Sequence, residues 1–199
     1  ELHEKLVNKE ITAVELTNAV YDRIAAVDEQ VNAYISLSKE EALAKAAEVD
    51  AKIAAGEAIA PLAGIPVVFK DNINIYGQVT SCASKMLQGV ETVFDAHVTE
   101  ELRKEDAVFL GKANMAEFSI GNTTDNSYNG AAHNPWNLDC TTGGCATAAA
   151  VAAGEAVWAL ASDTSGDLRQ PAAYAGCVGI KPTYGRVSRL GLAAYASSM

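Results

Sequence analysis

The chain has 199 residues, 49% of them hydrophobic, which is enough for one large domain or two small ones around a sizeable core. Its formal net charge is −10 and its lysines and arginines form no cluster, which argues against direct binding to nucleic acid. The longest apolar run, the alanine-rich segment 146–153, is too short to cross a bilayer, so no membrane role is expected.

Acidic side chains concentrate at the start, where residues 1–60 hold 12 acids against 6 bases. Residues 12–27 read as an amphipathic helix. Thr12 and Glu15 have capping-box spacing, and Leu16, Val20 and Ile24 recur every fourth position. Ser38 and Glu41 repeat that device and open a second helix to about residue 54, with Gly56 as its stop. The segment Pro61–Pro66 then reads as a turn-rich hinge, dividing an N-terminal helical part (1–60) from the rest (61–199). Val67-Val68-Phe69 is a short apolar strand ending at Lys70-Asp71-Asn72. A helix is expected near 96–105 and a strand over 107–110. Gly143-Gly144 precedes a helix over 146–153, and Ala156–Ala161 reads as a buried strand. Strands alternating with helices predict an α/β fold with a mostly covered sheet, and in such sheets functional groups gather in the loops after strands. The last 25 residues carry Lys181, Arg186 and Arg189 and no acid, a weak contact surface or a solvated face.

Three such loops hold candidate chemistry. Lys70, directly after a strand, is either a desolvated lysine able to accept a proton or a strand-end lysine pointing at water. Gly143-Gly144-Cys145 is either a helix-start loop with an acidic thiol nucleophile or a tight loop packed on a neighbour. Thr164-Ser165-Gly166 could offer successive amides as an oxyanion hole, with Ser165 as a nucleophile. Asp167 could pair with Arg169 or cap a following helix. No histidine lies close in sequence, so a Ser-His-Asp triad has no support. Cys82, Cys140, Cys145 and Cys177 fit no disulfide framework and, with three scattered histidines, no zinc pattern; reduced cytosolic cysteines, without a signal peptide or a metal, are the expectation.

Taken together, "PLAGIPVVFKDNI" (61–73), "TSCASKML" (80–87), "GKANMAEF" (111–118), "NPWNLD" (134–139), "AAAVAAGE" (148–155), "SDTSGDLRQPAA" (162–173) and "GIKPTYGRVSRLGLAAYASS" (179–198) resemble the amidase signature family. Within it, these stretches and the N-terminal "ELHEKLVNKEITAVEL" are most similar to the A subunits of glutamyl-tRNA(Gln) amidotransferases. The resemblance covers essentially the whole chain. It implies a mixed sheet covered by helices, incomplete because the family continues well beyond this length, with an apolar sheet edge left exposed.

The resemblance also implies a Ser–cis-Ser–Lys triad, in which lysine draws a proton through the bridging serine while the second serine attacks an amide carbonyl. Lys70 matches the lysine. The bridging serine is best matched by Cys145, in a loop about two residues shorter than the family's. The nucleophile position is Asp167, and Ser165 replaces one glycine of the family's D-T-G-G-S. Thr164, Ser165 and Gly166 correspond to the oxyanion-binding backbone, and Met115 to a methionine near the substrate. A carboxylate is a poor substitute for the serine, and a Lys70–Asp167 ion pair is the expected resting state. The implied function is hydrolysis of glutamine to supply ammonia, in the cytoplasm or an organellar matrix, for conversion of Glu-tRNA(Gln) to Gln-tRNA(Gln). The implied partners are subunits B and C. The chain itself would bind no cofactor: ATP, Mg and tRNA belong to the partner subunit. The alternatives are an inactive remnant or scaffold of that subunit, or an amidase of the same family acting on a small amide.

Overall fold

The computed structural model describes residues 1–198. A short helix, α1 (Leu2–Val7), precedes Thr12, where the spacing-based expectation holds in full. The Thr12 hydroxyl accepts from the Glu15 amide at 3.0 Å, and the Glu15 carboxylate accepts from the Thr12 amide at 2.9 Å. Helix α2 (Ala13–Val31) then runs one turn further than the apolar repeat suggested and stops at Asn32, which is left-handed. The second expected capping box does not form. Ser38 precedes α3 (Lys39–Ala54), but its hydroxyl makes no cap bond. The Ser38 hydroxyl and the Glu41 carboxylate instead both accept from Nε2 of Gln78, at 2.9 and 3.0 Å. A distant amide has taken both groups that the local cap would have used.

Strand β1 (Tyr34–Leu37) lies between these helices, in a stretch of the N-terminal helical part to which the sequence pattern assigns no element. Strands β2 (Pro66–Lys70) and β3 (Val108–Ala113) flank α4 (His97–Lys104). A hairpin of β4 (His133–Asn134) and β5 (Asn137–Thr141) stands apart from the main sheet. The alanine-rich helix α5 (Thr147–Ala153) leads to β6 (Trp158–Leu160), and α6 (Arg169–Ala175) follows the candidate loop. The main sheet has the order β1-β3-β2-β6, with β1 antiparallel to β3 and the other pairs parallel, so it is mixed. Strand β6 is half-buried rather than buried, because it is the outer strand among those described.

Every residue of β2 is buried, which is why it reads as an unbroken apolar run. Val68 joins the cluster beneath α2, α3 and α5, with Leu6, Ile24, Val49, Val108 and Leu110. Val67 and Phe69 join the opposite cluster with Leu102 and Phe109, where the two phenylalanine rings meet edge-on at 4.7 Å. The segment 1–60 therefore contributes both a strand and half of one core face.

Between Val67↔Phe109 and Val68↔Gly111 the register slips by one, leaving Leu110 as the extra residue of a bulge. Gly111 adopts φ +148°, and a Cβ there would fall 2.1 Å from the Ser36 carbonyl oxygen on β1. Only glycine lets the two strands approach this closely. Beyond the bulge, buried Lys112 donates to the Thr80 hydroxyl at 3.0 Å and to the Ile73 carbonyl. Burial pushes the Lys112 amine down to about 8, although Asp71 3.7 Å away opposes this.

Candidate active site

Because β2, β3 and β6 are parallel neighbours, their C-terminal ends open on one side of the sheet. Lys70 ends β2, Asn114-Met115 follows β3, and residues 162–167 follow β6. The loop before α5 closes the group. The Ala116 amide donates to the Gly144 carbonyl at 3.0 Å and the Ala146 amide to the Asn114 carbonyl at 2.9 Å, so Met115 and Cys145 pair as an isolated antiparallel bridge. Lys70, Met115, Cys145 and Thr164–Asp167, far apart in sequence, are thus brought together.

Lys70 is not a strand-end lysine pointing at water. Its side chain and that of Asp167 are 0% and 1% exposed and form an ion pair. The ammonium carries three donors. Oδ2 of Asp167, the Ser162 hydroxyl at 3.0 Å and the Ser162 carbonyl at 3.4 Å accept from them. The Lys70 nitrogen is thus enclosed by oxygens of Asp167 and Ser162.

Two of the three amides expected to bind an oxyanion are engaged as well. Thr164 N–H donates to Oδ1 of Asp167 at 2.5 Å, and Gly166 N–H donates to Oδ1 of Asp163 at 2.8 Å. One carboxylate oxygen of Asp167 therefore sits on an amide of the loop and the other on Lys70. Ser165 is exposed on the outside of the turn. Asp167 neither pairs with Arg169 nor caps α6. Arg169 instead binds Asp163, with Nε to Oδ2 at 2.8 Å and Nη2 to Oδ1 at 3.1 Å. Burial raises the Asp163 carboxyl, but the Arg169 bonds outweigh it and hold the group below the usual carboxylate range.

Cys145 departs from the acidic thiol that a helix-start position predicts. It is fully buried, and its Sγ donates to the Asp167 carbonyl at 2.8 Å and lies 3.0 Å from the Thr147 hydroxyl. Burial pushes the thiol up, overcoming the opposing charge of Lys70. No cis peptide bond occurs among the described residues. The glycine pair serves packing. A Cβ on Gly144 would meet Cβ of Asp167 at 2.8 Å and the Gly121 carbonyl oxygen at 3.0 Å, and one on Gly143 would meet Cγ of Pro171 at 2.8 Å. The loop is pressed onto the Asp167 turn, leaving no room there for a ligand. The Met115 side chain is buried against Cys82, Ala83 and Cys145.

Three residues that the sequence reading passed over complete the arrangement. The Ser162 hydroxyl accepts from Lys70 and, at 2.9 Å, from Nδ2 of Asn72. Asp163 organises the turn through Gly166 and Arg169. The signal for Asp163 was present: aspartate side chains commonly accept from backbone amides a few residues on, as Asp163 does from Gly166. Ser162 and Asn72 had none, since their contact spans 90 residues. Both line an open cleft of about 750 Å³, with Thr164, Arg169, Lys181 and Tyr184, whereas Lys70 and Asp167 lie behind its wall.

The sequence pattern of the amidase family matches residues 15–199. Over 201 aligned positions the chain is 52% identical to the A subunit of glutamyl-tRNA(Gln) amidotransferase from Desulforamulus reducens, covering 100% of this chain and 41% of that protein. Among solved structures, it superposes with a TM-score of 0.96 at 35% identity on a chain of "an unexpected vestigial protein complex" that "reveals the evolutionary origins of an s-triazine catabolic enzyme", over 100% of this chain and 44% of that one. It superposes with a TM-score of 0.79 at 40% identity on the A subunit of glutamyl-tRNA(Gln) amidotransferase from Thermotoga maritima, over 94% of this chain and 39% of that one. The chain thus spans less than half the length of these relatives. Matched along nearly its whole length, it belongs to the amidase family.

Proposed function

We propose that this chain descends from the A subunits of tRNA-dependent amidotransferases and keeps their scaffold, while the Lys70–Asp167 pair closes its hydrolytic site. Similarity to proteins bearing that subunit's name supports the lineage. By that lineage the subunit would hydrolyse glutamine and pass ammonia to partner subunits B and C, where ATP and Mg serve amidation of Glu-tRNA(Gln). Hydrolysis of this kind needs a lysine able to take a proton, a nucleophile facing the substrate, and unoccupied oxyanion donors. The observation that carries the inactive reading is the ion pair: one carboxylate engages both the lysine and the Thr164 amide. Cys145, buried and with a raised thiol, is a poor replacement nucleophile. Action on another small amide would face the same obstacles. The role proposed is therefore that of a scaffold retaining partner contacts.

Ammonia release from glutamine by the purified protein, with and without partner subunits, tests this reading. No turnover is expected in a folded sample. Turnover that disappears in Lys70→Ala or Cys145→Ala would overturn it, because the site would then have been rebuilt around a different nucleophile.

A further inference from the structure

Outside the candidate site, one more buried acid stands out. Glu155 follows α5 and the left-handed Gly154, and it is 0% exposed. Its backbone is fixed, with N–H donating to the Ala150 carbonyl at 2.8 Å and the carbonyl accepting from the Tyr34 hydroxyl at 2.7 Å. Its carboxyl group is different. Both oxygens are enclosed, and neither has a donor among the described residues. A carboxylate ion so placed would lose its hydration without compensation, a cost that proteins avoid by neutralising the group.

Its electrostatic neighbour is another acid, Asp28 of α2. Asp28 is already committed as an acceptor, since its Oδ1 takes the Ala33 amide at 2.6 Å. Two carboxylates in contact repel, but a carboxylic acid facing a carboxylate makes a strong hydrogen bond. We propose that Glu155 is held as a neutral carboxylic acid donating its proton to Asp28, a clasp that ties α2 to the α5–β6 turn and weakens when alkaline solution removes that proton.

The surrounding groups fit this assignment. Burial first, and then the charge of Asp28, push Glu155 up to about 8; Arg23 on α2 opposes them, with its Nε donating to the Ala153 carbonyl at 2.7 Å. Tyr34 on β1 is pushed well up by burial and by Glu155, and so keeps its donor proton. Tyr21 on α2 is likewise raised and donates to the Leu110 carbonyl at 2.9 Å. The native state binds a proton that the unfolded chain releases in the ordinary glutamate range. The clasp's stability is therefore complete below that range and is lost as pH rises through about 8. Lys112, pushed down to about 8 by burial, contributes the opposite slope, so a comparison with a non-titrating variant isolates Glu155.

The test is thermal unfolding of the purified protein and of Glu155→Gln from about pH 6 to about pH 9. Glutamine keeps the shape and donates an N–H to Asp28 without titrating. The midpoint of the unaltered protein is expected to fall by roughly 5 °C or more relative to that of the variant. Parallel curves would overturn the proposal. Infrared spectra of the unaltered protein give a reading that does not depend on the variant folding. The carbonyl stretch of a protonated carboxylic acid is expected at neutral pH and should vanish on alkaline titration; its absence at neutral pH would overturn the clasp.

Discussion

Removing one member of the Lys70–Asp167 pair leaves the other charge enclosed. Both side chains are essentially inaccessible, so solvent screening does not reduce the effect. Lys70→Met strands the Asp167 carboxylate on a single amide, that of Thr164, and is expected to cost about 3–5 kcal/mol, the usual range for breaking a buried pair from one side. Asp167→Asn keeps the shape and leaves the ammonium on neutral oxygens, two of them from Ser162, so a somewhat smaller loss of about 2–4 kcal/mol is expected. The double variant removes both charges, and its loss should fall short of the sum of the two single losses by at least about 2 kcal/mol. Urea unfolding of the four proteins gives these free energies directly. Losses that add to within about 0.5 kcal/mol would refute the reasoning, because the two groups would then not be energetically coupled.

Asp167→Ala should leave ammonia release from glutamine unchanged, and Asp167→Ser alone should not restore it, because Cys145 and its shortened loop differ as well; a normal rate in the serine variant would contradict this. Gly144→Ala should lose about 1–3 kcal/mol in denaturant unfolding, since its methyl group meets Cβ of Asp167 at 2.8 Å and a backbone oxygen at 3.0 Å. Gly111→Ala should be at least as damaging, with the strained φ added to a 2.1 Å clash against β1. Alkylation followed by mass spectrometry should label exposed Cys140 first at neutral pH and reach Cys82 and Cys145 only on unfolding, because burial raises both of those thiols, that of Cys82 to about 12.

The elements legible in advance were those whose signals are local. The Thr12–Glu15 cap works because its donor and acceptor are three residues apart, and the β2 run is apolar because both faces of that strand are buried. The identity of the site loops was likewise legible, since the motifs around Lys70 and Asp167 are contiguous stretches. The identical spacing at Ser38 and Glu41 failed because Gln78, about forty residues away, offers its amide to both side chains. Strand β1, only four residues long, takes its stability from pairing with β3 and carries little pattern of its own. Cys145 shows the same division. Its place at a helix start favoured an acidic thiol, but complete burial reversed the direction. Residue types and spacing along the chain thus decide caps, strand cores and lineage, because those depend on neighbours in sequence. Proton affinities, occupied amides and the meeting of Lys70, Ser162 and Asp167 were decided by folding, because the desolvation and hydrogen bonds responsible come from residues roughly ninety positions apart.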